Sequence, residues 1–288
     1  MNFLVEPFTS NEFLRLALVA GCLVSVTCAI AGTFVVLRGL AFVGDALAHG
    51  VLPGIALAVL LGFSGVLGAA VGAGVMMGGV GLVQRRLRLS GDTAVGLLFV
   101  GMLSLGVIIT SKSDAFVGDL TRILFGQLLG VDRVDLAWQS LALLVVAVVA
   151  YVCRRPFLLL TIDDGLARTS GFSVRVFHNV LLLIVALTVV ASFQTVGTLL
   201  VLGMLVAPAA TGSLFARRIE SMMLIASAVG ILSTYVGLLV SYHYDLAAGA
   251  SIVLTAVVIF AVSALVHEVR SALRRHDELP HAHGHIHV

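Results

Sequence analysis

The chain has 288 residues, of which 60% are hydrophobic and only 11% charged, with a formal net charge of +2 and a mean hydropathy of +1.13. A soluble chain carries about a quarter charged residues, so the composition excludes a soluble enzyme or binding module and describes an all-α polytopic integral membrane protein embedded in a lipid bilayer. The small positive balance is no nucleic-acid signal, because the arginines punctuate apolar runs and form no patch.

The N-terminus, MNFLVEPFTSNEFLR, has neither a basic n-region nor a small-residue cleavage site, so no cleaved signal peptide is expected. A helix needs about 20 apolar residues to cross the hydrocarbon core. Nine runs meet that need approximately: 14–37, 41–61, 63–83, 92–111, 135–153, 176–196, 198–214, 221–241 and 246–267. Positive charge collects in cytoplasmic loops. Nine spans with the N-terminus outside and the C-terminus cytoplasmic put Arg38, Arg85, Arg86, Arg88, Arg154, Arg155, Arg217, Arg218, Arg270, Arg274 and Arg275 inside. Lys112, Arg122 and Arg133 stay outside among Asp114, Asp119, Asp132 and Asp135, an acidic loop that suits cation access or is simply solvated.

The second span carries the most informative stretch, RGLAFVGDALAHGVLPGIALAVLLG over 38–62. Asp45 and His49 are one helical turn apart on one face, and Pro53 deprives the His49 carbonyl of its intrahelical partner. Asp45 is the only acid well inside a predicted span. An intramembrane ionisable residue is expensive and points to function. Carboxylate, imidazole and free carbonyl together suit a divalent metal; the bland alternative is an Asp–His pair locking a helix bend. The cysteines Cys22, Cys28 and Cys153 lie in or beside apolar runs without a CxxC and read as small core residues.

Between spans, RRPFLLLTIDDGLARTSGFSVR (154–175) is the longest cytoplasmic connection. Asp163 and Asp164 ahead of 165–170, with Gly171 after it, are start and stop signals for a short helix outside the bilayer. Gly197 joins the next two spans, and Pro208 frees the carbonyl of Met204. Met204 and His243 are weaker candidates for assisting transport. The terminal HDELPHAHGHIHV alternates His281, His283, His285 and His287, which reads by composition as a metal-binding tract, a cloned affinity tag, usually of contiguous histidines, being the rival explanation. Lys112, in ITSKSD, is the only lysine, so no GxxxxGK[ST] phosphate loop is present. HExxH is absent too, which disfavours an intramembrane metalloenzyme.

The stretches VVLRGLAFVGDALAHGVLPGIALAVLLG (35–62), LLLTIDDGLARTSGF (158–172), TVGTLLVLGMLVAPAAT (195–211) and SYHYDLAAGASIVL (241–254) resemble the membrane permease subunits of bacterial ABC importers for zinc, manganese and iron ions. GDxxxH followed by LPG is the specific part of that likeness. The resemblance implies a homodimer with its pore on the two-fold axis, a cytoplasmic ABC ATPase subunit, an extracytoplasmic metal-binding lipoprotein and a bacterial inner-membrane location. It implies no catalytic residues and no permanently bound cofactor, the metal (Zn²⁺ or Mn²⁺) being cargo. Asp45 and His49 match the family's metal pair. Asp163, Asp164, Gly165, Leu166, Ala167 and Gly171 match its coupling segment, 163–171. Residues 1–275 then form the permease domain and 276–288 a histidine-rich cytoplasmic tail, which many members lack. The competing expectation is a stand-alone, proton-coupled secondary metal transporter, although such relays need chains of buried acids or histidines.

Overall fold

The computed structural model describes residues 7–8, 11–87, 90–111 and 128–277. Its elements, in order, are α1 (Glu12–Leu37), α2 (Ala41–Gly50), α3 (Leu52–Leu60), α4 (Gly65–Leu87), α5 (Gly91–Thr110), a 3-10 turn (Leu128–Gly130), α6 (Arg133–Val152), α7 (Arg154–Ile162), α8 (Asp164–Thr169), α9 (Val174–Val196), α10 (Thr198–Phe215), α11 (Ile219–Tyr244) and α12 (Ala248–Asp277). No strand occurs among the described residues, as expected where each span must satisfy its own backbone hydrogen bonds.

Eight segments are long and apolar enough to cross a membrane, with α2 and α3 together making the second, Ala41–Leu60. The ninth expected span is α10, an 18-residue helix whose described apolar part, Val201–Phe215, is shorter. It runs through Pro208 without breaking. The discontinuity lies before it at Gly197, whose φ of 85° is glycine territory. The expected boundary at 275 falls inside α12, which continues to Asp277; the four tail histidines, Lys112, Asp114, Asp119, Arg122 and Arg88 lie outside the described residues.

Apolar side chains gain nothing by leaving lipid for protein, so helices in membranes associate through close contact and interhelical hydrogen bonds. α1 sits centrally, packed on α6, α9, α10 and α11. Its seam with α11 is reciprocal: Gly21 makes room for Thr234, Gly230 makes room for Ser25, and the two hydroxyls meet at 2.8 Å. Gly32 brings α1 onto the Leu205 carbonyl of α10. The broken α2–α3 span is enclosed by α4, α5, α9 and α10. Elsewhere the outer faces of α5, α6 and α12 stay open, with 22% of each spanning window buried, leaving apolar side chains for lipid or a partner.

Candidate metal site

Asp45 and His49 occupy one face of α2. His49 Nε2 stands 3.6 Å from Asp45 Oδ1, beyond a hydrogen bond, and the side chains are 12% and 27% exposed. Two donors sharing a tetrahedral ion, each bound near 2.1 Å, stand about 3.4 Å apart. The pair thus has the spacing of two donors on one ion and makes no direct hydrogen bond with itself. His49 Nδ1 is buried with no hydrogen-bond partner among the described residues. A buried polar nitrogen left unmet costs about 1–3 kcal/mol, so the imidazole carries unspent donor or acceptor capacity.

What holds the ring is aromatic. Phe99 of α5 meets the imidazole edge-on, centroids 5.4 Å apart, and Phe42 lies 6.1 Å from Phe99. Nothing local in the sequence signals this wall, since Phe99 arrives from three helices later in the chain.

Directly below the pair the helix breaks. α2 ends at Gly50, Val51 keeps right-handed dihedrals, and Pro53 stands in the first turn of α3, where its missing N–H is harmless. Neighbouring glycines seat the break: Gly50 against Met76, Gly106 of α5 against Leu52 and Pro53, and Gly54 against the backbone of Gly68 and Gly72 on α4.

Among the described residues no group of three or more His, Cys, Asp or Glu stands together. One chain therefore offers two side-chain ligands, whereas a structural zinc site uses about four. Asp132 and Asp135 are committed elsewhere. Asp132 Oδ1 accepts the Val134 and Asp135 N–H groups, each at 2.8 Å, and Asp135 accepts the Asp132 N–H at 3.2 Å, a capping box at the start of α6. Met204 is a core side chain, 1% exposed. His243 Nδ1 lies 2.8 Å from the Leu239 carbonyl of its own helix.

The connection after α6 holds two short helices where the sequence signalled one. α7 had no signal beyond Pro156 in its first turn, and Phe157 anchors it by an edge contact to Phe34 of α1, centroids 5.0 Å apart. α8 forms as expected but begins at Asp164, one residue early, because Asp163 is its N-cap and accepts the Leu166 N–H at 2.9 Å. Gly165 spares that carboxylate, which a Cβ would crowd at 2.7 Å. Gly171, at φ 83°, closes the helix, its N–H reaching the Arg168 carbonyl while the Phe172 N–H reaches Ala167. Ala167 is buried and Leu166 is exposed.

Arg38 ties this segment to the spans. From the end of α1 its guanidinium pairs with Asp164 Oδ1 at 3.4 Å and lies 3.3 Å from His178 Nδ1 of α9. Arg38→Ala is expected to lower stability by about 1 kcal/mol, the half-exposed Asp164 limiting the gain. A lower melting temperature of the detergent-purified protein, compared with Arg38→Lys, reads this out.

Three comparisons place the whole chain. The family model described as the ABC 3 transport family matches residues 10–267. The chain is 36% identical to the manganese transport system membrane protein MntC of Halalkalibacterium halodurans over 277 residues, 96% of this chain and 94% of that protein. It is 34% identical to the chelated iron transport system membrane protein YfeD of Yersinia pestis over 269 residues, 93% of this chain and 90% of that one. The solved structure of PsaBC from Streptococcus pneumoniae in complex with Fab matches with a TM-score of 0.82 at 32% identity, covering 90% of this chain and 94% of that chain. The family match begins just before α1 and ends within α12, taking in every span and the short helices between them, so the chain belongs to the ABC 3 transport family.

Proposed function

We propose that the chain is the membrane permease subunit of an ATP-driven importer of divalent first-row metal ions, with manganese as its cargo, in the bacterial cell membrane. The observation that carries this is the Asp45–His49 pair, 3.6 Å apart on a broken intramembrane helix. A transport site must bind well enough to admit an ion and weakly enough to release it, and each chain supplies two ligands to it. Carboxylate and imidazole accept manganese, iron and zinc. Relatives named for manganese and for chelated iron favour the first two.

A second copy across a two-fold axis would bring the ligands to two oxygens and two nitrogens. Support for such a homodimer comes from α4, where a Cβ at Gly74, Gly78 or Gly81 would meet nothing within 4 Å among the described residues. A groove of about 500 Å³, lined by Met77, Gly78, Gly81, Asn179 and Leu182, runs beside them. Bare glycines in a span invite a closely packed helix. ATP would be hydrolysed by a separate subunit docked on α8, whose Leu166 is exposed, and the ion delivered by an extracytoplasmic metal-binding lipoprotein. Arg38 would then pass movement of α8 to the metal-bearing span.

Manganese, iron and zinc accumulation in a strain lacking the gene, restored with wild-type chain or a chain ending after Arg275, tests the cargo. Manganese is expected to return with both chains. Return of zinc alone, lost again on truncation, would transfer the cargo to zinc and the tail to its path. Equal accumulation of all three ions with and without the gene would remove the metal reading.

A further inference from the structure

On the side of the molecule that carries Arg154, Arg155, Arg217 and Arg218, a cavity of about 670 Å³ opens between α1, α6, α7 and α11. That is within the range of about 300–1,000 Å³ typical of ligand sites. Its apolar lining includes Ala147 and Ala150, one turn apart on α6, with Ile30 of α1 and Met223 of α11. Among its lining residues are four arginines, Arg154, Arg155, Arg217 and Arg218, against a single acid, Glu220. None of the four makes an ion pair among the described residues. Arg154 is instead held over the Tyr151 ring, 5.1 Å from its centroid.

We infer that this cavity is a binding site for an anionic phospholipid of the cytoplasmic leaflet, its phosphate among the arginines and an acyl chain along the alanine wall. The leaflet follows from reading the arginine clusters as cytoplasmic; the site itself does not depend on which metal is carried. Depth decides for a lipid over a soluble anion. Ala147 lies five residues before the end of α6 at Val152, and Met223 lies five residues after Arg218, so the floor lies roughly 7–8 Å below the charged residues at the α-helical rise. A free phosphate would satisfy the rim and leave that apolar floor empty; a lipid fills both. Charge decides for an anionic headgroup over a zwitterionic one, since basic pockets between spans at the cytoplasmic face select acidic lipids. The arginines come as two pairs from two separate junctions, α6–α7 and α10–α11, which suits a diphosphate lipid such as cardiolipin better than a monophosphate one.

The test is native mass spectrometry of the intact detergent-purified protein after exposure to cardiolipin, phosphatidylglycerol, phosphatidylcholine or inorganic phosphate. Wild type is expected to retain cardiolipin most, phosphatidylglycerol less and phosphatidylcholine not at all, with phosphate failing to compete. Arg217→Gln with Arg218→Gln is expected to reduce anionic-lipid retention at least about fivefold, as loss of a contact to an acidic headgroup should. Ala147→Phe fills the floor without touching a charge and is expected to do the same. Unchanged retention in Ala147→Phe, equal retention of phosphatidylcholine, or displacement by phosphate would each overturn the proposal. So would arginine variants that keep the lipid but no longer capture the ATPase subunit, which would assign the rim to that partner.

Discussion

Asp45→Asn is expected to abolish metal accumulation, lowering the initial rate at least about 100-fold, while the protein still reaches the membrane in normal amount. Even groups that only orient a metal ligand cost about 10- to 100-fold when removed, and here the proposed ligand itself loses its charge. The substitution is chosen because Asn keeps the size of Asp and one acceptor oxygen, while it removes the negative charge and replaces the other oxygen with an NH₂ donor. A helix lock between positions 45 and 49 would survive it; a cation site would not. The geometry already leans against a lock, because His49 Nε2 and Asp45 Oδ1 are 3.6 Å apart and His49 Nδ1 has no partner among the described residues. Uptake of radioactive manganese by cells carrying equal immunoblotted amounts of each chain decides the matter. An Asn variant that transports at the wild-type rate would reduce the pair to a structural element and leave the permease without an identified site.

Gly54→Leu is expected to cost about 3 kcal/mol or more and to leave little folded protein. A Cβ at Gly54 would run into the Gly68 carbonyl, with Gly72 backbone atoms at 2.9 and 3.0 Å, so no side-chain rotation relieves the contact. Overpacking usually costs about 1–3 kcal/mol when side chains can yield; backbone against backbone forces α3 and α4 apart. Because Gly54 follows Pro53, the same displacement would move the break beneath His49. Gly74→Leu on α4 is the control, since a Cβ there meets nothing within 4 Å among the described residues. It is expected to fold with an unchanged melting temperature as a single chain and, in the proposed homodimer, to weaken association and uptake. A Gly54→Leu protein that melts with the wild type would show that the α3–α4 contact is looser than described. A Gly74→Leu protein that remains dimeric and active would move the dimer contact off that face.

Sequence alone determined what depends on neighbours a few residues away. Runs of apolar residues mark the spans because a bilayer requires a minimum length. The four-residue spacing of Asp45 and His49 puts them on one face whatever surrounds them, and Pro53 interrupts the helix there for reasons internal to its ring. Asp163 and Gly171 bracket α8 by local capping chemistry. Tertiary structure decided which face of each span meets protein. Hydropathy is blind to this, because lipid and a helix interface are equally apolar. Thus Gly54 and Gly74 read alike in the sequence, yet one is pressed against a backbone and the other is bare. Phe99 behind His49, Arg38 joined to Asp164, and two arginine pairs brought to one cavity are likewise contacts between residues far apart in the chain. Only the packing of whole helices, set by where small residues let backbones approach, brings such residues together.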